Sequence, residues 1–197
     1  MRQETGSNLA INDKKVSIQV KLGGRSFSAD NIVVTDDIEQ IEFVVDTPRV
    51  TLAPKGEVSF NNAAELLQIA GKTCRNNELA VCSKLQHDII AAIAIDSVAL
   101  RSIMAMEGVD VVFTSPLLDM RHCVENCLTL DVTERTCYAR LFDNGLQRAE
   151  AFDATTAEDI LYIVAEWLKS NDIPIYIKGN TEAVRLLRKY YKRVICE

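Results

Sequence analysis

The chain has 197 residues, 48% hydrophobic and 25% charged, which excludes global disorder and allows one or two small packed domains. Twenty-two Lys and Arg face 28 Asp and Glu, and the net charge of −6 argues against a general nucleic-acid binder, whose phosphate contacts need a positive footprint. The longest apolar run, residues 89–95, falls far short of the ~20 residues of a membrane helix, and residues 1–15 carry no apolar signal core, so a cytoplasmic protein with no membrane partner is expected.

Residues 1–14 lack periodicity and read as a flexible tail. Val16, Ile18, Val20 and Leu22 alternate with polar residues, the spacing of a strand. Gly23-Gly24 then predicts a hairpin turn, with a return strand over 26–32. Further strands are expected over 41–45 and 50–52, around Thr47-Pro48. Asn62 and Glu65 have capping-box spacing and open a short helix through Ala70. Residues 79–85 and 88–95 read as strands, the second nearly all apolar and therefore buried. Asp96 or Ser97 caps a helix through Met106, and 109–113 is a short apolar strand. Ser115-Pro116 predicts a connecting helix over 115–126, with proline in its first turn.

Three strands joined by turns follow, over 127–132, 137–142 and 147–152. Thr155 and Glu158 have capping-box spacing for a helix to about Lys169, whose Ile160, Ile163, Val164, Trp167 and Leu168 share a face. Residues 173–177 form a buried strand, Gly179-Asn180 precedes a last helix through Tyr191, and 194–196 closes as a strand. The element order is β-β-β-α-β-α in each part, with an extra strand pair in the first. This gives a first half over 15–114 and a second over 127–197, each with a sheet that starts in a hairpin.

The segment Asp131-Val132-Thr133-Glu134-Arg135-Thr136 between two strands resembles the second phosphate loop of the actin, Hsp70 and sugar-kinase superfamily. There an Asp-Ile-Gly-Gly-Gly-Thr hairpin wraps the phosphates of ATP. The resemblance implies an α/β, actin-like ATPase (ribonuclease H-like) fold of two related halves. It also implies where nucleotide loops would lie: Lys21, Gly23 and Gly24 in the first loop, Asp131 and Thr136 in the second, Gly179 in the adenosine loop. The residues themselves run against the usual chemistry. Lys21 stands where an Mg²⁺-organising Asp is expected, and an ammonium repels Mg²⁺. Thr133, Glu134 and Arg135 replace glycines whose backbone amides approach phosphate closely. Loss of ATPase chemistry, and no cofactor, are therefore expected.

From about Lys15 onward the chain also resembles an uncharacterised group of Bacteroidetes proteins with a degenerate actin-like fold. The shared pieces are Val16-Ser17-Ile18-Gln19, the segment from Thr47 to Lys55, and the segment from Phe152 to Tyr162. None is a catalytic signature.

The remaining clusters have plain explanations. His122, Cys123 and Cys127 are close in sequence but lack the second ligand pair of a structural zinc site, so no metal is expected. The six cysteines are expected as free thiols of a reducing compartment. Glu158 and Asp159 suit a helix N-terminus better than acid–base work. Arg185, Arg188, Lys189, Lys192 and Arg193 fall at i, i+3, i+4, i+7 and i+8, one basic face on the expected last helix. That face is either solvated or a dock for an acidic partner.

The sequence therefore predicts a non-catalytic actin-like module that binds another protein, nucleic acid not being the expected partner. The alternatives are a divergent ATP-dependent phosphotransferase, with Asp131 as its acidic residue and Gly179 near adenine, and an RNA-associated factor using the basic helix.

Overall fold

The structure is a computed structural model that describes the backbone of 15–21 and residues 38–57, 61–122, 124–154 and 156–197. Three sheets carry it. The first is wholly parallel, with β1 (Lys15–Lys21), β2 (Gln40–Asp46) and β6 (Asp110–Thr114) in the order β1-β2-β6. Residues between β2 and β6 leave this sheet and build a second, antiparallel one. Its order is β3-β5-β4, from β3 (Val50–Pro54), β4 (Glu78–Cys82) and β5 (Ile89–Asp96). The single sheet expected over the first half is thus two among the described residues. The physical reason lies at Thr47-Pro48: proline has no amide to continue a ladder, and the chain turns away after β2. The expected Gly23-Gly24 hairpin and its return strand lie outside the described residues.

β5 is the central strand of its sheet and is buried on both faces. Ala92 and Ala94 pack against Ala63 and Leu67 of α1 (Ala63–Ile69), while Ala91, Ile93 and Ile95 point into the central core. Asn62 does not cap α1 with its side chain as its spacing predicts; its amide donates instead to the Glu57 carbonyl at 3.0 Å. Asp96 does cap α2 (Ser97–Met104), its Oδ1 accepting from the amides of Val98 and Ala99 at 2.9 and 3.0 Å.

The expected connecting helix is reduced to a single 3-10 turn, Pro116–Leu118, with Ser115 accepting from the Leu117 amide. Leu117 and Leu118 are both buried between the sheets, and Asp119 is already extended. Asp119 Oδ1 then accepts from the Arg121 amide at 3.1 Å, and residues 121 and 122 lie in a turn.

The third sheet has five strands in the order β11-β10-β7-β8-β9. They are β7 (Asn126–Val132), β8 (Thr136–Asp143), β9 (Leu146–Asp153), β10 (Ile175–Lys178) and β11 (Val194–Cys196). β7 and β8 pair antiparallel, Leu128 opposite Leu141 and Asp131 opposite Tyr138, as the hairpin at 133–136 requires. β10 runs parallel to β7 on one side and to β11 on the other.

Alternation along β7 decides the layers. Leu128, Leu130 and Val132 face α3 (Ala157–Trp167) and α4 (Thr181–Leu187), in a core with Ile160, Val164 and Leu187. Each such buried Leu or Ile contributes about 1.5–3 kcal/mol. The other face carries Cys127, Thr129 and Asp131, alongside Tyr138 and Arg140 of β8. Tyr138 and Ala151 join Phe43, Ile93 and Leu118 in the core shared by the sheets.

The capping box of α3 sits one residue later than its spacing first predicts. Thr156 Oγ1 accepts from the Asp159 amide at 3.1 Å, and Asp159 returns the contact to the Thr156 amide at 2.9 Å. α4 ends at Leu187, well before Tyr191. Its next turn tightens into i→i−3 bonds, Lys189 to Leu186 and Tyr190 to Leu187, because the chain must return to place Val194 beside Ile175. No helix among the described residues is long and apolar enough to cross a membrane.

Candidate functional site at the ends of the parallel strands

The candidate site lies where β7 and β10 end. Lys178 is the register partner of Asp131, and in the first sheet Lys21 is the register partner of Asp46. Each parallel pair therefore closes on one Lys and one Asp, in swapped positions.

The turn after Asp131 is closed by its own groups. The Thr133 amide donates to the Thr136 carbonyl at 2.9 Å, and the Thr136 amide donates to Thr133 Oγ1 at 3.1 Å. Thr136 is buried, so its amide is held away from solvent. The Thr133 hydroxyl donates to Asp46 Oδ1 at 3.1 Å. Tyr138, fully buried, donates its hydroxyl to the same Oδ1 at 2.9 Å and accepts from the Thr47 amide at 2.8 Å. Burial first, and then the neighbouring Asp46 carboxylate, push the Tyr138 hydroxyl far above its ordinary pKa, so it stays a donor.

Gly179 follows β10 with φ +93° and lies against the Val132 carbonyl. The structure thus brings Asp131, Thr136 and Gly179 around one turn. Lys21 ends β1 beside Asp46 in backbone register, whereas Gly23 and Gly24 lie outside the described residues. The sequence reading missed Asp46, whose only local signal is an apolar strand ending at Asp-Thr-Pro.

Asp131 borders a small cleft on the face of β7 turned away from α3 and α4, with Arg140, Lys178, Asp119, Arg121 and Glu197. Arg140 is buried. Its Nε donates to Thr129 Oγ1 at 2.9 Å and its Nη1 to the Pro116 carbonyl. Burial lowers the Arg140 pKa, while the carboxylates of Asp119 and Asp131 oppose that shift. Burial also pushes the Asp119 carboxyl up, but hydrogen bonds from Arg121 outweigh it and hold it below the usual carboxylate range. Arg121 lies 2.7 Å from Asp119 and 3.5 Å from Glu197. Arg121, Arg140 and Lys178 here meet Asp119, Asp131 and Glu197, and the one histidine of the lining, His122, is itself held between Glu125 and Glu197, so the cleft's positive groups face carboxylates. The space between these groups is ≈ 10 Å³, about what one water needs.

At the edge of the same cleft, which it lines with Tyr176, His122 stands between two carboxylates. Its Nδ1 is 3.0 Å from Glu125 Oε1 and its Nε2 is 2.8 Å from Glu197 Oε1. Tyr176 stacks on the imidazole at 4.1 Å and donates its hydroxyl to Glu125 Oε2 at 2.9 Å. Cys127 is buried beside them, its thiol pushed up to about 11 by burial and then by Glu125 and Glu197. Cys123 lies outside the described residues. Cys74, Cys82, Cys137 and Cys196 are, like Cys127, free thiols.

The five basic residues near the C-terminus do not share one helix. Only Arg185 lies within α4, and Arg188 is its C-cap. Both Nε and Nη2 of Arg188 lie 3.4 Å from the Val194 carbonyl, and Lys192 pairs with Asp172 at 2.8 Å.

No protein-family model matches the chain, and no curated protein matches it. Among solved structures, it is similar to a Bacteroides thetaiotaomicron protein of actin-like ATPase fold and unknown function. That match has a TM-score of 0.66 at 16% identity, over 81% of this chain and 69% of the other. Looser matches are the cytoplasmic domain of EpsL, an inner-membrane component of the Vibrio cholerae type II secretion system, and the AlfA filament bound to AMPPNP. The EpsL match has a TM-score of 0.45 at 11% identity, over 83% and 81% of the chains; the AlfA match has 0.39 at 14%, over 80% and 52%. The first of these likenesses, at its low identity, shows the fold alone: this chain has an actin-like ATPase fold.

Proposed function

We propose that the protein is a cytoplasmic, non-catalytic actin-like module that binds another protein and does not hydrolyse ATP. One observation carries this reading. The turn that stands at the second phosphate loop directs the amides of Thr133 and Thr136 into itself, while Thr133 also ties it to Asp46. Phosphate binding by such a loop depends on free backbone amides. The paired charges and small volume of the adjoining cleft point the same way.

The reading includes two related halves. β1, β2 and β6 run parallel in that order, as do β7, β10 and β11, and the Lys–Asp register pair recurs at the same point of each. A fold of this kind works by bringing two halves together over a cleft. Here Asp46 of one half is hydrogen-bonded to Thr133 and Tyr138 of the other, which supports a closed scaffold rather than a nucleotide cleft. The step from scaffold to protein partner is an analogy from fold.

Isothermal calorimetry with ATP–Mg²⁺ tests the reading. A flat trace is expected, together with no phosphate release. Saturable micromolar binding, with Mg²⁺-dependent turnover lost in Asp131→Asn, would establish the phosphotransferase instead.

A further inference from the structure

We propose that His122, Glu125 and Cys127 form a binding site for one divalent transition-metal ion of the zinc class. The turn before β7 builds the site: the Glu125 amide donates to the His122 carbonyl at 3.0 Å, which sets the two side chains together. Cys127, on the rigid central strand, supplies the third donor. One ligand atom from each residue lies within 4.8 Å of the other two. A tetrahedral zinc holds N, O and S ligands about 3.3–3.6 Å apart, given bonds of ~2.0–2.3 Å. His122 Nδ1 and Glu125 Oε1 are already 3.0 Å apart, so the contraction, about an ångström at most, is toward Cys127 Sγ and falls to both side chains, Glu125 being 42% and His122 17% exposed.

The surroundings are those of a ligand set. Metal-bound histidines hold their second nitrogen against a carboxylate, and bound carboxylates are themselves hydrogen-bonded. Here His122 Nε2 meets Glu197 Oε1 at 2.8 Å, and Glu125 Oε2 accepts from the Tyr176 hydroxyl at 2.9 Å, leaving Oε1 toward His122. Ring stacking by Tyr176 fixes the plane of the imidazole.

Both nitrogens of His122 face carboxylate oxygens, an arrangement that a doubly protonated imidazolium satisfies by itself. On metal binding the Nδ1 proton leaves while Nε2–H stays on Glu197, and the convergence of a third donor, Cys127 Sγ, is what points to a metal. Imidazole, thiolate and carboxylate together suit zinc and its neighbours, whereas Mg²⁺ and Ca²⁺ take oxygen ligands. On binding, the thiol proton passes to solvent as sulfur bonds the metal. Three protein ligands leave a fourth position for water.

The test is titration of the chelator-treated, purified chain with ZnCl₂ and, separately, CoCl₂. One metal per chain, a higher melting temperature and a thiolate-to-cobalt charge-transfer band are expected. Cys127→Ser should abolish the band, and Glu125→Gln, at an exposed position that keeps the fold, should weaken binding at least about tenfold. Glu197→Gln, acting through His122, should weaken it by about 10–100-fold while the band persists. The double variant Cys74→Ser, Cys196→Ser should bind like wild type. No band and no thermal shift in the wild type would overturn the proposal, as would undiminished binding in Glu125→Gln or a retained band in Cys127→Ser. None of these outcomes depends on whether the protein binds ATP.

Discussion

Gly179 lies so close to Val132 that a Cβ on it would stand 1.9 Å from the Val132 carbonyl oxygen. The contact joins the end of β10 to the end of β7, next to Asp131. Its φ of +93° is in addition one that L residues rarely adopt. Gly179→Ala is therefore expected to cost about 3 kcal/mol, lowering Tm by roughly 6–12 °C for a chain of this size. Gly56→Ala provides the control, since nothing lies within 4 Å of a Cβ there and its φ is ordinary. Calorimetric melting compares the two; equal midpoints would mean that the 132–136 turn yields freely.

Tyr138 holds the junction between β8 and the end of β2. Its hydroxyl donates to Asp46 and accepts from the Thr47 amide. Tyr138→Phe keeps the ring in the core but leaves a buried amide without its acceptor and removes a donor from the carboxylate. The expected cost is about 2 kcal/mol. Hydrogen exchange at the Thr47 amide should quicken more than the loss of global stability explains. Exchange that merely tracks the global loss would show that the junction is not a local clasp.

The basic residues near the C-terminus differ in their contacts. Arg188 and Lys192 are exposed but reach the Val194 carbonyl and Asp172, so reversing them would mix loss of those contacts with loss of charge. Arg185 and Lys189 are exposed. If the module docks an acidic partner here, Arg185→Glu with Lys189→Glu should leave Tm within about 1–2 °C, surface changes being nearly neutral. Capture of the native partner should fall, most steeply at low salt. Equal capture by variant and wild type at low ionic strength would remove this surface from consideration.

Local signals carried much of the fold. The β7–β8 hairpin was legible because apolar alternation on both sides of 133–136 leaves one place for a turn. Thr155-Thr156 followed by Glu158-Asp159 writes two overlapping capping boxes, and spacing alone does not choose between them; the structure uses Thr156 with Asp159. What stayed hidden was carried by distant partners. Asp46 meets Thr133 and Tyr138 across 87 and 92 residues, and His122 meets Glu197 across 75. No window of periodicity reaches that far. The connecting helix stops after one 3-10 turn, where Asp119 turns extended just beyond the buried Leu117 and Leu118, a tertiary anchoring that no local propensity signals.

Arg49 grips Glu78 with both Nε, at 2.7 Å, and Nη2, and the pair ties the β2–β3 turn to the start of β4. The side chains are only 15% and 5% exposed. Burial pushes the Glu78 carboxyl up, but the hydrogen bond from Arg49, that from the Arg75 amide, and the charges of both arginines together outweigh it. The folded-state pKa therefore lies below the ordinary 4.5. A carboxyl depressed in the folded state stabilises above its unfolded pKa, and that stability is lost as pH falls through the folded value. Glu78→Gln should cost about 3 kcal/mol at neutral pH, because it leaves the buried guanidinium without its charge partner. The difference between wild type and variant should stay constant down to about pH 5 and then shrink as the wild-type carboxylate takes up its proton. Urea unfolding across this range measures it directly. A difference that does not change below pH 4.5 would mean that Glu78 acts through shape and hydrogen bonding, with its charge contributing nothing.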